Sequence, residues 1–101
     1  MLTLCLCPWG CGKELTTREK AEGGDADAQF NLGVMYEGGY GVKKDLVLAY
    51  AWCNIAAADG HESAERAKQN IGKKLTPEQI AKAEALAKEM IAKNPKLIKK
   101  P

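Results

Sequence analysis

Glycine and alanine recur in this chain at a fixed offset of 36 residues. Shifting the sequence by that amount pairs Ala21 with Ala57, Gly24 with Gly60, Ala28 with Ala64 and Ala49 with Ala85. A period between roughly 20 and 50 residues is the mark of stacked supersecondary units. Each unit buries its apolar face against a neighbour. Stacks of this kind present surfaces to partners rather than reaction centres.

The unit itself can be read residue by residue. Gly23 and Gly24 end whatever precedes them, and Asp25 is placed to cap a new helix. Asp27 adds negative charge at the positive end of that helix. Ala28, Leu32 and Met35 or Tyr36 follow at helical spacing and make one apolar stripe. Gly33 lies inside the same helix, where it costs about 1 kcal/mol against alanine. That cost implies a second backbone passing close by. Gly38, Gly39 and Gly41 form a turn. Asp45 then caps a second helix, and Leu46 through Ala58 is apolar almost all round, as expected of a helix buried on both sides. Ala49, Trp52, Ala56 and Ala57 share one side, while Tyr50 and Ile55 point toward the next unit. Gly60 is the helix stop. The short connection makes the two helices antiparallel neighbours.

The marks Ala28, Leu32, Gly33, Tyr36, Gly38, Gly41, Val42, Asp45, Ala49, Trp52, Ala56, Ala57, Gly60 and Ala64 resemble a Sel-1-like repeat of the bacterial type. That family is related to the tetratricopeptide repeat. The resemblance implies an all-α fold in which antiparallel helix pairs stack as a short α-solenoid. LTPEQIAKAEALAKEM is similar to the terminal helix that closes such bacterial arrays. The family further implies a scaffold for protein complexes and no catalysis.

The expected organisation has four parts. Residues 1–12 form an irregular cysteine-containing segment, and residues 13–60 hold a partial preceding helix plus one full repeat. Residues 61–94 hold a degenerate repeat and a capping helix, and residues 95–101 form a frayed tail. In the third part, Glu62 to about Lys74 is a helix with Ala64, Ala67 and Ile71 on its inner stripe. Thr76, Pro77 and Gln79 make a capping box with proline in the first turn. Ile80, Ala83, Ala87, Met90 and Ile91 give the next helix its apolar face, with Leu86 near the edge. Asn94 and Pro95 stop that helix.

Only one full unit is recognisable, and arrays usually need at least three. Three arrangements follow: a piece of a longer array, self-association through the uncovered N-terminal face of the repeat, or a monomer closed by the N-terminal segment.

Composition narrows the function. Aromatic residues are 6% of the chain, which suits close helix packing on small side chains. Residues 1–61 carry five basic and eight acidic side chains, and residues 62–101 carry ten basic and five acidic, for a total of +2. The C-terminal lysines lack interleaved aromatics, so they read as a solvated face rather than a nucleic-acid surface. No run approaches the length of a membrane span. Met1 to Cys11 has no basic leader and is short for a signal peptide. Leu4 stands where a lipoprotein signal needs a small residue. The compartment stays open between cytoplasm and periplasm.

Catalysis has no carrier. His61 is the one histidine and stands at a helix start. No nucleophile has a base at recognisable spacing, and the Gly38 to Gly41 turn lacks the lysine of a phosphate loop. No cofactor is called for. Cys5, Cys7 and Cys11 cluster, but a structural zinc site needs four ligands. His61 is the one candidate for a fourth, and Cys53 reads as a buried small hydrophobe. Four cysteines allow three disulfide connectivities, and the spacing does not choose among them. The chain lacks the cysteine pairs of secreted Sel-1-like proteins.

The favoured reading is a protein-interaction module. By analogy with tetratricopeptide relatives, the partner lies along the first helices of successive units. The non-core positions there are Asp27, Phe30, Val34 and Glu37, and 36 residues on Ser63, Arg66, Asn70 and Lys73. They would form a groove with an exposed apolar spot at Phe30 and Val34 beside a partly basic strip. The alternatives are a structural segment or cap of a longer array without its own partner, and a zinc or thiol role for the N-terminal cysteines.

Overall fold

A computed structural model describes residues 11–98, with side chains from residue 17 onward. Five helices follow in order: α1 (Cys11–Glu22), α2 (Ala26–Gly38), α3 (Leu46–Ala58), α4 (Glu62–Gly72) and α5 (Pro77–Lys93). A single 3-10 turn at Pro95–Leu97 closes the described chain. The fold is all-helical, as the recurrence predicts.

The helix boundaries are set by local chemistry. Asp25 caps α2 by accepting from the Ala28 amide, and Asp45 caps α3 by accepting from Val47 and Leu48. Thr76 and Gln79 form the expected reciprocal capping box at the start of α5. The helix stops repeat at the 36-residue period. After α1, Gly24 takes φ 98°, its amide donates to Ala21, and the Asp25 amide reaches back to the Lys20 carbonyl. After α3, Gly60 takes φ 91°, its amide donates to Ala57, and the His61 amide reaches back to Ala56. Both ends are the same left-handed glycine motif, which a β-carbon would strain.

Helix α3 is the hub, packing against α2, α4 and α5. Its apolar circumference is therefore used on several sides, and Ala49, Ala51, Trp52, Cys53, Ile55 and Ala56 are all buried. Small residues let the backbones approach. A β-carbon on Gly33 would lie 2.6 Å from Cys53 Sγ and 3.2 Å from the Ala49 carbonyl oxygen. This is the close passage that a helical glycine at position 33 implies. Tyr50 meets the following unit, with its ring 3.3 Å from where a β-carbon of Gly72 would lie.

Three expectations need correction. Helix α1 begins at Cys11, two residues inside the segment expected to be irregular. It packs on α2, and the Arg18 guanidinium donates to the Tyr36 hydroxyl at 2.8 Å. Residues 1–10 lie outside the described residues. Second, α5 packs on α3 instead of pairing along α4 in the way α2 pairs with α3. Its Ala83 and Ala87 are buried, and Ile80, Leu86, Met90 and Ile91 are half-buried. Third, the described part of the tail is not frayed. Leu97 is only 2% exposed, and its turn lies against α1 and α5. A single leucine with two hydrogen-bonded anchors docks a segment whose lysines alone suggest solvation. Residues 99–101 lie outside the described residues.

Candidate protein-interaction surface

Helices α2 and α4 touch side by side, and their outward faces carry all eight residues expected at a partner surface. None of the eight is buried. Asp27, Ser63, Arg66, Asn70 and Lys73 are exposed, while Phe30, Val34 and Glu37 are half-buried. Helical spacing separates this face from the inner one, where Ala28, Leu32 and Tyr36 join the core.

Two cross-links lash α2 to the elements that follow it. At one end, His61 Nε2 lies 2.7 Å from Asp27 Oδ1, while His61 Nδ1 accepts from the Ala64 amide at 3.1 Å. An acceptor role for Nδ1 places the ring proton on Nε2, so the imidazole donates to the Asp27 carboxylate. One side chain thus caps α4 and anchors α2. At the other end, Lys74 Nζ lies 3.2 Å from Glu37 Oε2. Neither His61 nor Lys74 is among the eight expected residues. Proximity to a helix start hints at the cap of His61, but nothing local in the sequence points to its bond 34 residues away.

The exposed apolar spot expected at Phe30 and Val34 is a correction. The Phe30 ring stacks on His61, with centroids 4.9 Å apart and planes inclined by 24°. The histidine that caps α4 also roofs the phenylalanine, and Val34 is half-buried as well. The large hydrophobic residue that is open to solvent among those described is Tyr40, 64% exposed in the turn after α2.

The charge pattern is correspondingly changed. Asp27 and Glu37 spend their carboxylates on His61 and Lys74. Lys68 Nζ approaches Glu65 at 3.6 Å and the Asn54 side-chain oxygen at 3.4 Å. Arg66 and Lys73 stand exposed without an ion pair among the described residues. On this face the Glu37 carboxylate is thus paired, Asp27 accepts a hydrogen bond from His61, and a basic strip at Arg66 and Lys73 is left over. Beyond Lys74 an open cleft of about 410 Å³ continues between the two turns, lined by Lys44, Asp45, Leu46, Val47, Lys74, Leu75 and Gln79.

Burial, and then the charge of Glu37, push the Cys53 thiol up to about 12, so it stays protonated at neutral pH. A protonated, enclosed thiol is neither nucleophile nor metal ligand. Both nitrogens of His61 are engaged, and no group of three His, Cys, Asp or Glu side chains could hold a metal ion among the described residues. Cys5 and Cys7, and the side chain of Cys11, lie outside the described residues. Among the described residues no helix is long and apolar enough to cross a membrane.

An antiparallel helix pair, a glycine turn and a glycine stop repeated after 36 residues define a helical-repeat protein. Residues 26–61 match the model of the Sel1 repeat, which spans α2, the turn, α3 and the His61 cap. It is similar to the alginate biosynthesis protein AlgK of Azotobacter vinelandii, at 32% identity over 66 residues. That alignment takes in 65% of this chain and 14% of the relative, so the chain spans a small part of that protein's length.

Proposed function

We propose that this chain is a non-catalytic protein-interaction module whose α2–α4 face receives an acidic segment of a protein partner. The observation that carries the reading is the charge left on that face. Glu37 is paired with Lys74 and Asp27 accepts a hydrogen bond from His61, whereas Arg66 and Lys73 remain exposed with no ion pair among the described residues. A partner carboxylate approaching them gains attraction without first breaking an ion pair. The cross-links also hold α2 and α4 in one geometry before binding, which reduces the ordering cost of association. Phe30 and Val34, half-covered, offer a small apolar contact beside the strip.

The match of residues 26–61 to the Sel1 repeat supports this reading at the coarser level of a protein-binding scaffold. The likeness to an alginate biosynthesis protein makes proteins of that process reasonable first partners to screen.

The test is binding of short Glu/Asp-rich peptides to the full chain and to the R66E/K73E double variant. Capture by the wild-type chain that weakens with salt and disappears in the variant is the expected result. Undiminished capture by R66E/K73E, with helix content preserved, would remove α2–α4 from consideration.

A second reading makes the chain a structural segment within a longer array. The small fraction of the relative that it spans favours it. Failure of every acidic peptide to bind the wild-type chain would move the balance there.

A further inference from the structure

The one buried polar side chain in the described core is Gln29, fully enclosed on the inner face of α2. Its Nε2 donates to two carbonyl oxygens from distant parts of the chain. One belongs to Ala21 in the last turn of α1, at 3.0 Å, and the other to Leu97 after α5, at 2.8 Å. Both neighbours are acceptors, so the amide can face them only through its NH2 group. The Gln29 Oε1 atom is then left buried with no hydrogen-bond partner among the described residues. Beside it, Asn94 Nδ2 donates to the Glu22 carbonyl at 2.8 Å, and the Leu97 side chain fills the space at 2% exposure.

These contacts describe a slot between the end of α1 and the start of α2, occupied by the chain's own Asn94–Leu97 segment. The occupant supplies an apolar plug, a carbonyl for the Gln29 NH2 and a donor for Glu22. It supplies no donor for Gln29 Oε1. An unsatisfied buried acceptor keeps the full penalty of its lost hydration. The slot is therefore incompletely served by its own tail. A segment that offers a leucine, a carbonyl and one further N–H would satisfy it better.

We propose that the Gln29 slot is a peptide-binding site for a leucine-bearing segment of a partner protein, occupied in cis by Asn94–Leu97 until that segment displaces it. The site is distinct from the α2–α4 face, because Gln29 points inward while Asp27, Phe30, Val34 and Glu37 do not. Cis occupancy sets the affinity that a competitor must overcome, since a tethered ligand acts at high effective concentration.

The experiment uses the full chain and a labelled, end-blocked peptide of sequence Asn-Pro-Lys-Leu-Ile, with binding read by fluorescence anisotropy. Leu97→Asp places a charge where the plug is buried and should empty the slot. The expected result is weak binding by the wild-type chain, binding at least about tenfold tighter by L97D, and loss of that gain in L97D/Q29M. No binding by an L97D chain of wild-type helix content overturns the proposal, as does equal binding by L97D/Q29M. If L97D unfolds, the wild-type chain titrated with millimolar peptide answers the same question by NMR. The Gln29 side-chain amide and the Leu97 backbone amide should then shift together, and unmoved resonances overturn the proposal.

Discussion

A β-carbon placed on Gly33 would stand 2.6 Å from Cys53 Sγ, well inside van der Waals contact. The glycine on α2 and the thiol on α3 thus mark a close passage between the two helices of the repeat. With the Ala49 carbonyl oxygen at 3.2 Å from the same point, part of the obstacle is backbone and cannot rotate away.

Gly33→Ala should therefore destabilise the fold even though alanine is the better helix former. The propensity gain is about 1 kcal/mol, and overpacking a tight contact costs about 1–3 kcal/mol. A net loss of up to about 2 kcal/mol is expected, seen as a melting temperature lower by up to several degrees. Removing the sulfur should relieve part of it. The G33A/C53A double variant is expected to lose less stability than the two single variants summed, in urea melts followed by circular dichroism. Strict additivity would show that the sulfur is not the obstacle.

Alkaline pH should weaken the fold through Cys53. Its thiol is raised from an ordinary value of 9.0 to about 12 by burial and then by Glu37. The unfolded chain releases this proton first, so the stabilisation is complete below pH 9 and is lost as pH rises toward 12. By pH 10.5 the loss amounts to as much as about 2 kcal/mol. Tyr50, raised by burial and then by Glu84 and Glu65, acts in the same direction at higher pH. The check is the urea midpoint at pH 8 and pH 10.5 for the wild-type chain and for C53A, which should show the shallower decline. Parallel declines would assign the effect elsewhere.

His61 does two jobs that substitution can separate. His61→Ala removes the α4 cap, the Asp27 contact and the roof over Phe30, and should cost about 1–2 kcal/mol. Asparagine caps helices well. His61→Asn should thus retain a clear part of the stability while losing the ring stack. Equal losses in the two variants, measured by thermal denaturation, would mean that the cap contributes little.

Gly60→Ala tests the repeated helix stop. The residue holds φ 91°, a conformation that costs alanine about 1–2 kcal/mol. A melting temperature unchanged by the substitution would show that α3 can end in another way.

The features legible in the sequence are those whose partners lie within a few residues. Asp25, Asp45 and Thr76 each bond amides two or three positions away, so the residue type and its place before an apolar run suffice. Gly33 was legible because glycine is costly in a helix. The eight surface positions followed from helical spacing, and all stay out of the core. What spacing could not convey was the covering of Phe30 by a ring 31 residues further on, or the capture of Lys74 by Glu37. The docking of Leu97 was less legible still. It rests on one apolar residue among lysines, held by Gln29 68 positions earlier in the chain. Proline after asparagine marks the end of a helix, and nothing periodic signals that the chain then turns inward.

Open helical arrays behave like a row of coupled units that melt from whichever end is weakest. The Gln29 amide, holding Ala21 and Leu97 together, turns that row into a loop of contacts. The two ends of the described fold are then joined both through Gln29 and through the Asn94–Glu22 hydrogen bond, so the tail leaves only when both fastenings are released. A chain tied in this way loses the free end from which an open row of repeats begins to fray.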